Sequence, residues 1–356
     1  MRHIVILCSR LDFPAGIERA IVNTANLASD KGNKVSIVIL DKTEKIFFLL
    51  NSSVSVHRYE LDFGIGSKGN PLKNKIAFLS HLRILKRNLK ELSPDIVIAT
   101  EYPFSIAARM VLKKGTKLYS WEHHHFYHLK RSRFWQTLFK RYYPKIDKII
   151  CLNEDEGKLF QQIGCKTFVI PNFTSFSSNR KSTLNQKQIL TVGWFTKTKG
   201  TDLIPSIAEK VFKRHPDWKW KIIGQGKEAS SLKAFPNLEL SGPVSNIEEE
   251  YLNSSIYVLP SRFECFPMVL LEAMSFGLPC IAFDCPTGPR HIVTNGEDGI
   301  LVEKENIEAI ARAIMELMEN EEKRKRMGSK AFENIQRFSP ENVYQLWEKL
   351  FNDKNF

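Results

Sequence analysis

Short apolar runs rich in β-branched residues alternate with helix-length amphipathic stretches along nearly the whole of this chain. Runs at 4–8, 35–40, 95–99, 117–121, 148–152 and 167–170 read as strands, and stretches at 16–31, 76–92, 104–114, 131–145 and 154–163 read as helices between them. A polar break follows. The alternation then resumes, with strands at 188–192, 219–223, 238–240, 256–259, 279–283 and 299–302 and helices at 200–213, 247–253, 268–276, 306–319, 321–337 and 340–352. Strands that alternate with helices build parallel βαβ units. The expected fold class is therefore α/β, with two Rossmann-like domains facing a cleft and ligands held outside the carboxyl ends of the strands.

The break begins at Pro171-Asn172-Phe173-Thr174-Ser175-Phe176-Ser177-Ser178-Asn179 and stays polar to Lys187. Such Ser/Thr/Asn-rich stretches mark loops, so 173–187 reads as a linker between a domain at 1–172 and another at 188–339. Charge changes at the same place. Residues 1–172 hold 28 Lys+Arg against 15 Asp+Glu, and the rest of the chain holds 24 of each, so the whole net charge of +13 lies before the break. Basic residues cluster at Lys73, Lys75, Arg83, Lys86, Arg87 and Lys90, and again at Lys130, Arg131, Arg133, Lys140, Arg141 and Lys145. Aromatics such as Phe126, Tyr127, Phe134, Trp135 and Phe139 interleave the second cluster. A basic surface studded with aromatics suits an anionic membrane face first, a merely solvated helix face second, and nucleic acid last, since no nucleic-acid module signature is present.

The 356 residues, 43% of them hydrophobic, allow two separate cores. The longest apolar runs, such as 46–50, fall far short of the roughly 20 residues that span a membrane. The apolar core at 4–8 is too short for a signal peptide and reads as a first strand. Six cysteines lack paired spacing and several sit in apolar strand contexts, which fits reduced core residues of a cytoplasmic protein.

Glu264 and Glu272 flank the segment Cys265-Phe266-Pro267-Met268-Val269-Leu270-Leu271. Pro267 marks a loop, and a helix opens at Met268. One carboxylate then stands just before a helix N-terminus and the other about one turn inside it. Helix N-termini suit anions such as phosphate, while carboxylates accept hydrogen bonds from sugar hydroxyls. The segment is a nucleotide-sugar clamp or a capped core helix with two incidental acids, and by itself it favours neither. Gly16-Ile17-Glu18-Arg19 opens the first helix, where a glycine lets backbone approach a phosphate or simply starts the helix. Val192-Gly193-Trp194-Phe195-Thr196-Lys197-Thr198-Lys199-Gly200 ends a strand and brings lysines toward a diphosphate or a solvated turn. In Trp121-Glu122-His123-His124-His125, adjacent residues on an extended chain point alternately, so a metal site is disfavoured against a sugar contact.

In this order the elements resemble the retaining GT-B glycosyltransferases of family 4 (glycosyltransferase group 1), in the branch that builds bacterial capsular polysaccharide, exopolysaccharide and lipopolysaccharide. The resemblance covers nearly the whole chain. Its specific part is the Glu-x7-Glu of Glu264 and Glu272, and the segments around Gly277 and Asn295–Val302 follow in the family's sequence. It implies that Glu272 holds the ribose hydroxyls, that Glu264 holds the donor sugar, and that Phe266, Met268 and Val269 face sugar and diphosphate. Lys199, with Lys197, Gly193 and Trp194 beside it, would meet the diphosphate; Gly16 would let the first loop close over it; His123 would contact the sugar near its reaction centre. Trp194 departs from the family's arginine and carries no charge, so either Lys197 is the substitute cation or phosphate binding is weaker.

The resemblance implies an acceptor-side first domain completed by a last helix, 340–356, that crosses back to it. It implies a hexosyl- or N-acetylhexosaminyltransferase, with a nucleotide diphosphate sugar as donor (a UDP-sugar favoured), no cofactor and no metal. The acceptor would be a glycan or lipid-linked saccharide, presented at the inner face of the membrane to a cytoplasmic, peripherally bound enzyme. A nucleotide-sugar epimerase or hydrolase of the same architecture, and a catalytically inactive subunit, are the competing readings; a nucleic-acid module rests on the basic half alone.

Overall fold

A computed structural model describes residues 1–43, 45–63, 71–127, 131–174, 176, 180–232 and 235–353, without the side chains of 71–75 and 231. Lys130, the side chains of Lys73 and Lys75, and Ser175 and 177–179 of the polar break lie outside the described residues. The chain divides into two compact units, one of Met1–Pro171 with Val343–Phe356 and one of Asn172–Asn342.

The first unit holds β1 (His3–Cys8), β2 (Lys34–Ile39), β3 (Ser55–Arg58), β4 (Ile96–Ala99), β5 (Lys117–Glu122), β6 (Lys148–Cys151) and β7 (Thr167–Val169). Among the described residues they form one sheet in the order β3-β2-β1-β4-β5-β6-β7, and every neighbouring pair is parallel. β1 and β4 are buried along their whole length, as a parallel sheet covered on both faces requires. β3 escaped the sequence reading because Ser-Val-His-Arg is a half-exposed edge strand with no apolar run to betray it.

The second unit holds β8 (Gln188–Val192), β9 (Lys219–Ile223), β10 (Leu238–Ser241), β11 (Ile256–Leu259), β12 (Cys280–Phe283) and β13 (Gly299–Val302). Their order is β10-β9-β8-β11-β12-β13, again parallel throughout. In each sheet the order reverses once: between β1 and β4 in the first, between β8 and β11 in the second. Residues after the polar break pack onto this second unit. Leu184 is buried, Ser182 Oγ donates to Ser254 O at 2.5 Å, and Ser182 N donates to Phe276 O at 2.9 Å.

Prolines explain where helices depart from the sequence pattern. The predicted helix at 76–92 starts earlier, at Pro71, because a first turn tolerates a missing N–H. The predicted helix at 131–145 stops at Tyr142 and tightens into a 3₁₀ turn, Tyr143–Lys145, around Pro144. The predicted helix at 200–213 begins as a 3₁₀ turn before Ile204–Phe212, with Pro205 in its first turn. All six cysteines are buried and none is in a disulfide. No helix among the described residues is long and apolar enough to cross a membrane.

The last helix, Pro340–Asn352, completes the core of the first unit from Val343 onward. Trp347, 1% exposed, meets Trp121 edge to face at 5.1 Å between ring centroids. Tyr119 OH donates to Leu350 O at 3.3 Å, and Asn33 Nδ2 donates to Tyr344 OH at 2.9 Å. Truncating a buried tryptophan costs about 3–5 kcal/mol. Trp347→Ala is therefore expected to lower the unfolding free energy from denaturant titration by that much; a loss below about 1 kcal/mol would show that this helix is dispensable to the first core.

Candidate functional site

The reversal of strand order in the second sheet sends the loops after β8 and β11 in opposite directions from neighbouring strands, and opens a crevice where they part. Thr191 Oγ1 ties the two strands by donating to Val258 O at 2.6 Å. The loop after β8 passes Gly193 and Trp194, makes the 3₁₀ turn Lys197–Lys199 with Thr196 as its cap, and reaches Gly200. Gly200 has φ +68, and a Cβ there would sit 1.7 Å from the carbonyl oxygen of Pro260. Only a residue without a side chain can turn in that conformation and lie so close to the second loop.

That close approach delivers Lys199 to Glu264. Lys199 Nζ donates to both carboxylate oxygens of Glu264, at 2.8 and 2.9 Å. Glu264 is 8% exposed, and Ser261 Oγ donates a further hydrogen bond to it at 2.8 Å. Thr287 and Gly288 close the other side: Thr287 Oγ1 donates to Glu264 O at 3.4 Å, and a Cβ at Gly288 would strike the Glu264 Cβ at 2.7 Å. A buried carboxylate needs such partners, since its desolvation is otherwise uncompensated.

Phe266 is buried and leads into the helix Met268–Ser275. No side chain caps that helix, because its cap residue is Pro267. The backbone N–H groups of Met268 and Val269 fall in its first turn, which leaves the positive end of the dipole for an anion. One turn further in, Glu272 is 5% exposed and accepts a hydrogen bond from Tyr251 OH at 2.8 Å. Lys197 is exposed and Trp194 half-buried. The second unit thus brings Lys199, Glu264 and the start of the Met268–Ser275 helix together, with Glu272 on the same helix.

The other two candidates lie in the first unit. Gly16 is exposed and opens the helix Gly16–Asp30. His123 follows β5, is 7% exposed, and lies 4.4 Å from Trp121 between ring centroids. Burial, helped by His124, lowers its pKa from 6.5 to about 3, so the ring is a neutral imidazole at physiological pH. Its Nε2 has no hydrogen-bond partner among the described residues. On unfolding the ring regains its ordinary basicity, so the stability it contributes is full above pH 6.5 and falls as pH drops from there toward 3. The next residues are pinned: His125 Nδ1 pairs with Glu156, whose Oε2 also accepts from Phe126 N at 3.0 Å. Among the described residues no group of three or more His, Cys, Asp or Glu stands together as a metal site.

Two family models match the chain, "Glycosyl transferases group 1" over residues 173–334 and "Glycosyltransferase Family 4" over residues 14–177. The chain belongs to this glycosyltransferase family. An uncharacterized glycosyltransferase of Haemophilus influenzae is 29% identical across 98% of the chain and 100% of that relative. The amylovoran biosynthesis glycosyltransferase AmsD of Erwinia amylovora is 27% identical across 87% of the chain and 95% of its own length. Among solved structures, TarM superposes with a TM-score of 0.82 at 17% identity, covering 99% of each chain. Sucrose-phosphate synthase from Thermosynechococcus elongatus superposes at 0.81 and 16%, again covering 99% of each. The glycosyltransferase has the GT-B fold of two Rossmann-like domains.

Sequence reasoning missed the residues that hold this candidate site in shape. Arg262 grips Asp202 with both terminal nitrogens, at 2.6 and 3.0 Å, and pairs with Glu305. It thereby ties the loop after β11 to the turn after Gly200. Its neighbour in sequence, Glu264, was the only signal that could have pointed to it. Tyr251 was hidden as one apolar position of an amphipathic helix, yet its hydroxyl orients Glu272. Gly200→Ala is expected to cost at least the roughly 1–2 kcal/mol of a left-handed alanine. It should also part the two loops, raising the donor KM of the variant; unchanged stability together with an unchanged KM would show that the close approach at Pro260 is not needed.

Proposed function

We propose that this glycosyltransferase moves a hexose or N-acetylhexosamine from a nucleotide diphosphate sugar to a glycan acceptor, with retention of anomeric configuration. The observation that carries the reading is the Lys199–Glu264 pair beside the uncapped start of the Met268–Ser275 helix. The helix N–H groups and the Lys199 ammonium are a cationic seat for a diphosphate, with Lys197 exposed in the same turn. Glu264 offers carboxylate oxygens to donor hydroxyls, and Glu272 offers its own to the ribose. As the bond between the anomeric carbon and the diphosphate breaks, negative charge grows on the leaving group and positive charge on the sugar ring. Fixed cations and dipoles that meet the first lower the barrier more than they tighten substrate binding. The seat supplies that charge without a metal or cofactor. His123, neutral and buried with an unused Nε2, suits a hydrogen bond to the sugar and not a charge contact.

A UDP-sugar is the favoured donor. Anabaena HepE, whose structure was determined in complex with UDP and glucose, superposes with a TM-score of 0.77. Relatives named for surface glycans, such as the lipopolysaccharide 1,6-galactosyltransferase of Salmonella typhimurium, 28% identical over 64% of the chain, favour the same class of product. Lys199→Ala and Glu264→Ala are each expected to lower kcat about 100- to 1,000-fold with circular dichroism unchanged, in a screen of labelled nucleotide-sugars against a lipid-linked acceptor pool. Turnover near the wild-type rate in either variant removes the assignment.

The acceptor is proposed to be lipid-linked and met on an anionic membrane surface, with the enzyme peripheral on the cytoplasmic side. One face of the helix Pro71–Leu92 supports this: Ile76 and Leu79 are 62% and 52% exposed, and Arg83, Lys86, Arg87 and Lys90 continue the exposed face. Phe134, 45% exposed and 5.8 Å from the Phe78 ring, extends the apolar end. Basic residues beside exposed apolar ones bind anionic lipid by charge and by burial together. Flotation with anionic vesicles should recover the protein, and the triple change Arg83→Glu, Lys86→Glu, Lys90→Glu should abolish recovery. Equal recovery of both forms, or none of either, would favour a soluble acceptor.

A further inference from the structure

The reversal of strand order in the first sheet also opens a site. Where β1 and β4 end, their outgoing loops and the start of the Gly16–Asp30 helix line a partly open cavity of about 210 Å³. Crevices at such reversals are where open α/β sheets bind ligands. Its lining joins Ser9, Arg10, Glu18 and Glu101 to an apolar side made by Ile17 and Ile21, and His124 also lines it. The volume is below the roughly 300–1,000 Å³ of pockets for drug-sized ligands, which suits a single ring.

The charge in this cavity selects what can enter. Arg10 is already shared, donating to both oxygens of Asp12 at 2.7 and 2.8 Å. Glu101 accepts hydrogen bonds from Ser9. Glu18 Oε2 is buried and has no hydrogen-bond partner among the described residues. Burial raises both carboxyls above the usual range; the charge of Glu101 raises Glu18 further, that of Asp41 raises Glu101, and both glutamates act on the Cys8 thiol. A phosphate or a uronate entering here would meet two carboxyls, with the arginine already engaged on both sides of its fork by Asp12. A donor of hydrogen bonds would satisfy the orphaned oxygen.

We propose that this cavity seats one neutral or amino-bearing sugar ring of the acceptor. Glu18 and Glu101 take hydrogen bonds from its hydroxyl or ammonium groups, and Ile17 and Ile21 cover its C–H face. The acceptor end is thereby a sugar without an acidic group, and not a polyol phosphate or a uronic acid. That the ring belongs to an acceptor rests on the transferase reading above; that a sugar binds here rests on the cavity.

The test is saturation-transfer NMR on the full chain with four probes: methyl α-glucoside, methyl α-glucosaminide, methyl α-glucuronide and glycerol phosphate. The first two should receive saturation and the last two should not. Glu18→Leu replaces an unsatisfied buried acceptor by an apolar group, so it should fold at least as well as the parent. It should bind the neutral and amino glycosides about 10- to 100-fold more weakly. Ile17→Trp, which fills the cavity without changing its charge, should abolish their signals. Glu264→Gln, altered in the other unit, should retain them. Signals lost in Glu264→Gln but kept in the two cavity variants would place the ring in the second unit and overturn the proposal. Equal binding of the acidic probes, or no binding of any probe, would overturn it as well. Cavity binding in an enzyme that transfers no sugar from any nucleotide donor would instead remove the functional reading and leave the cavity standing.

Discussion

The contact between the loop at 193–200 and the loop that follows β11 is the constraint on which the second unit's site depends. Parallel neighbours β8 and β11 release their chains at the same edge of the sheet. Those chains can touch only because Gly200 presents no side chain to Pro260. Once they touch, a buried carboxylate and an ammonium lie within hydrogen-bond distance. Neither would be stable there alone: Glu264 would be a desolvated anion, and its partner would be a solvated side chain with its rotamers unrestrained. Arg262 locks the same pair of loops from the outer side through Asp202 and Glu305. The site is thus rigid at the point where the diphosphate is proposed to leave, and pre-arranged charge is what electrostatic catalysis requires.

The two units use one topology for opposite electrostatic ends. Each sheet reverses its order beside its first strand and opens a crevice there. In the second unit the crevice combines a cation, a carboxylate and an uncapped helix start, a set that accepts an anion and hydroxyls together. In the first unit the outer surface is strongly basic while the crevice is lined by two half-buried glutamates. On the proposals above, a basic exterior would draw the protein to an anionic surface, and an acidic interior would reject anions from the cavity itself. That division separates what attracts the enzyme from what it selects.

Much of the fold is legible in local pattern. Strands at 188–192, 219–223, 256–259 and 299–302 are the runs that the alternation marks, because buried parallel strands carry an apolar residue at nearly every position. The polar edge strand Ser55–Arg58 is not legible, since an edge needs no apolar run. Helix ends move at Pro71, Pro144 and Pro205, an effect that depends on how the backbone closes and not on the apolar repeat. Within the site, Glu264, Glu272 and Lys199 could be singled out because family motifs hold them in short, ordered segments. Arg262 and Tyr251 could not, since nothing nearby in sequence distinguishes an arginine that grips a partner from one that is solvated.

Taken alone, the amino-acid sequence determined the parallel α/β architecture, the placement of the basic charge before residue 172, and the family to which the chain belongs. These follow from periodicity, composition and contiguous motifs, all of which are local. The tertiary structure decided which residues meet. Lys199 and Glu264 are separated by 65 positions, and Arg262 and Asp202 by 60. Glu18 and Glu101 share a cavity only because β1 lies beside β4. No local preference encodes such pairings. They exist because the order of strands in a sheet brings distant loops to one edge, and because burial there makes every charge depend on the partner that the fold supplies.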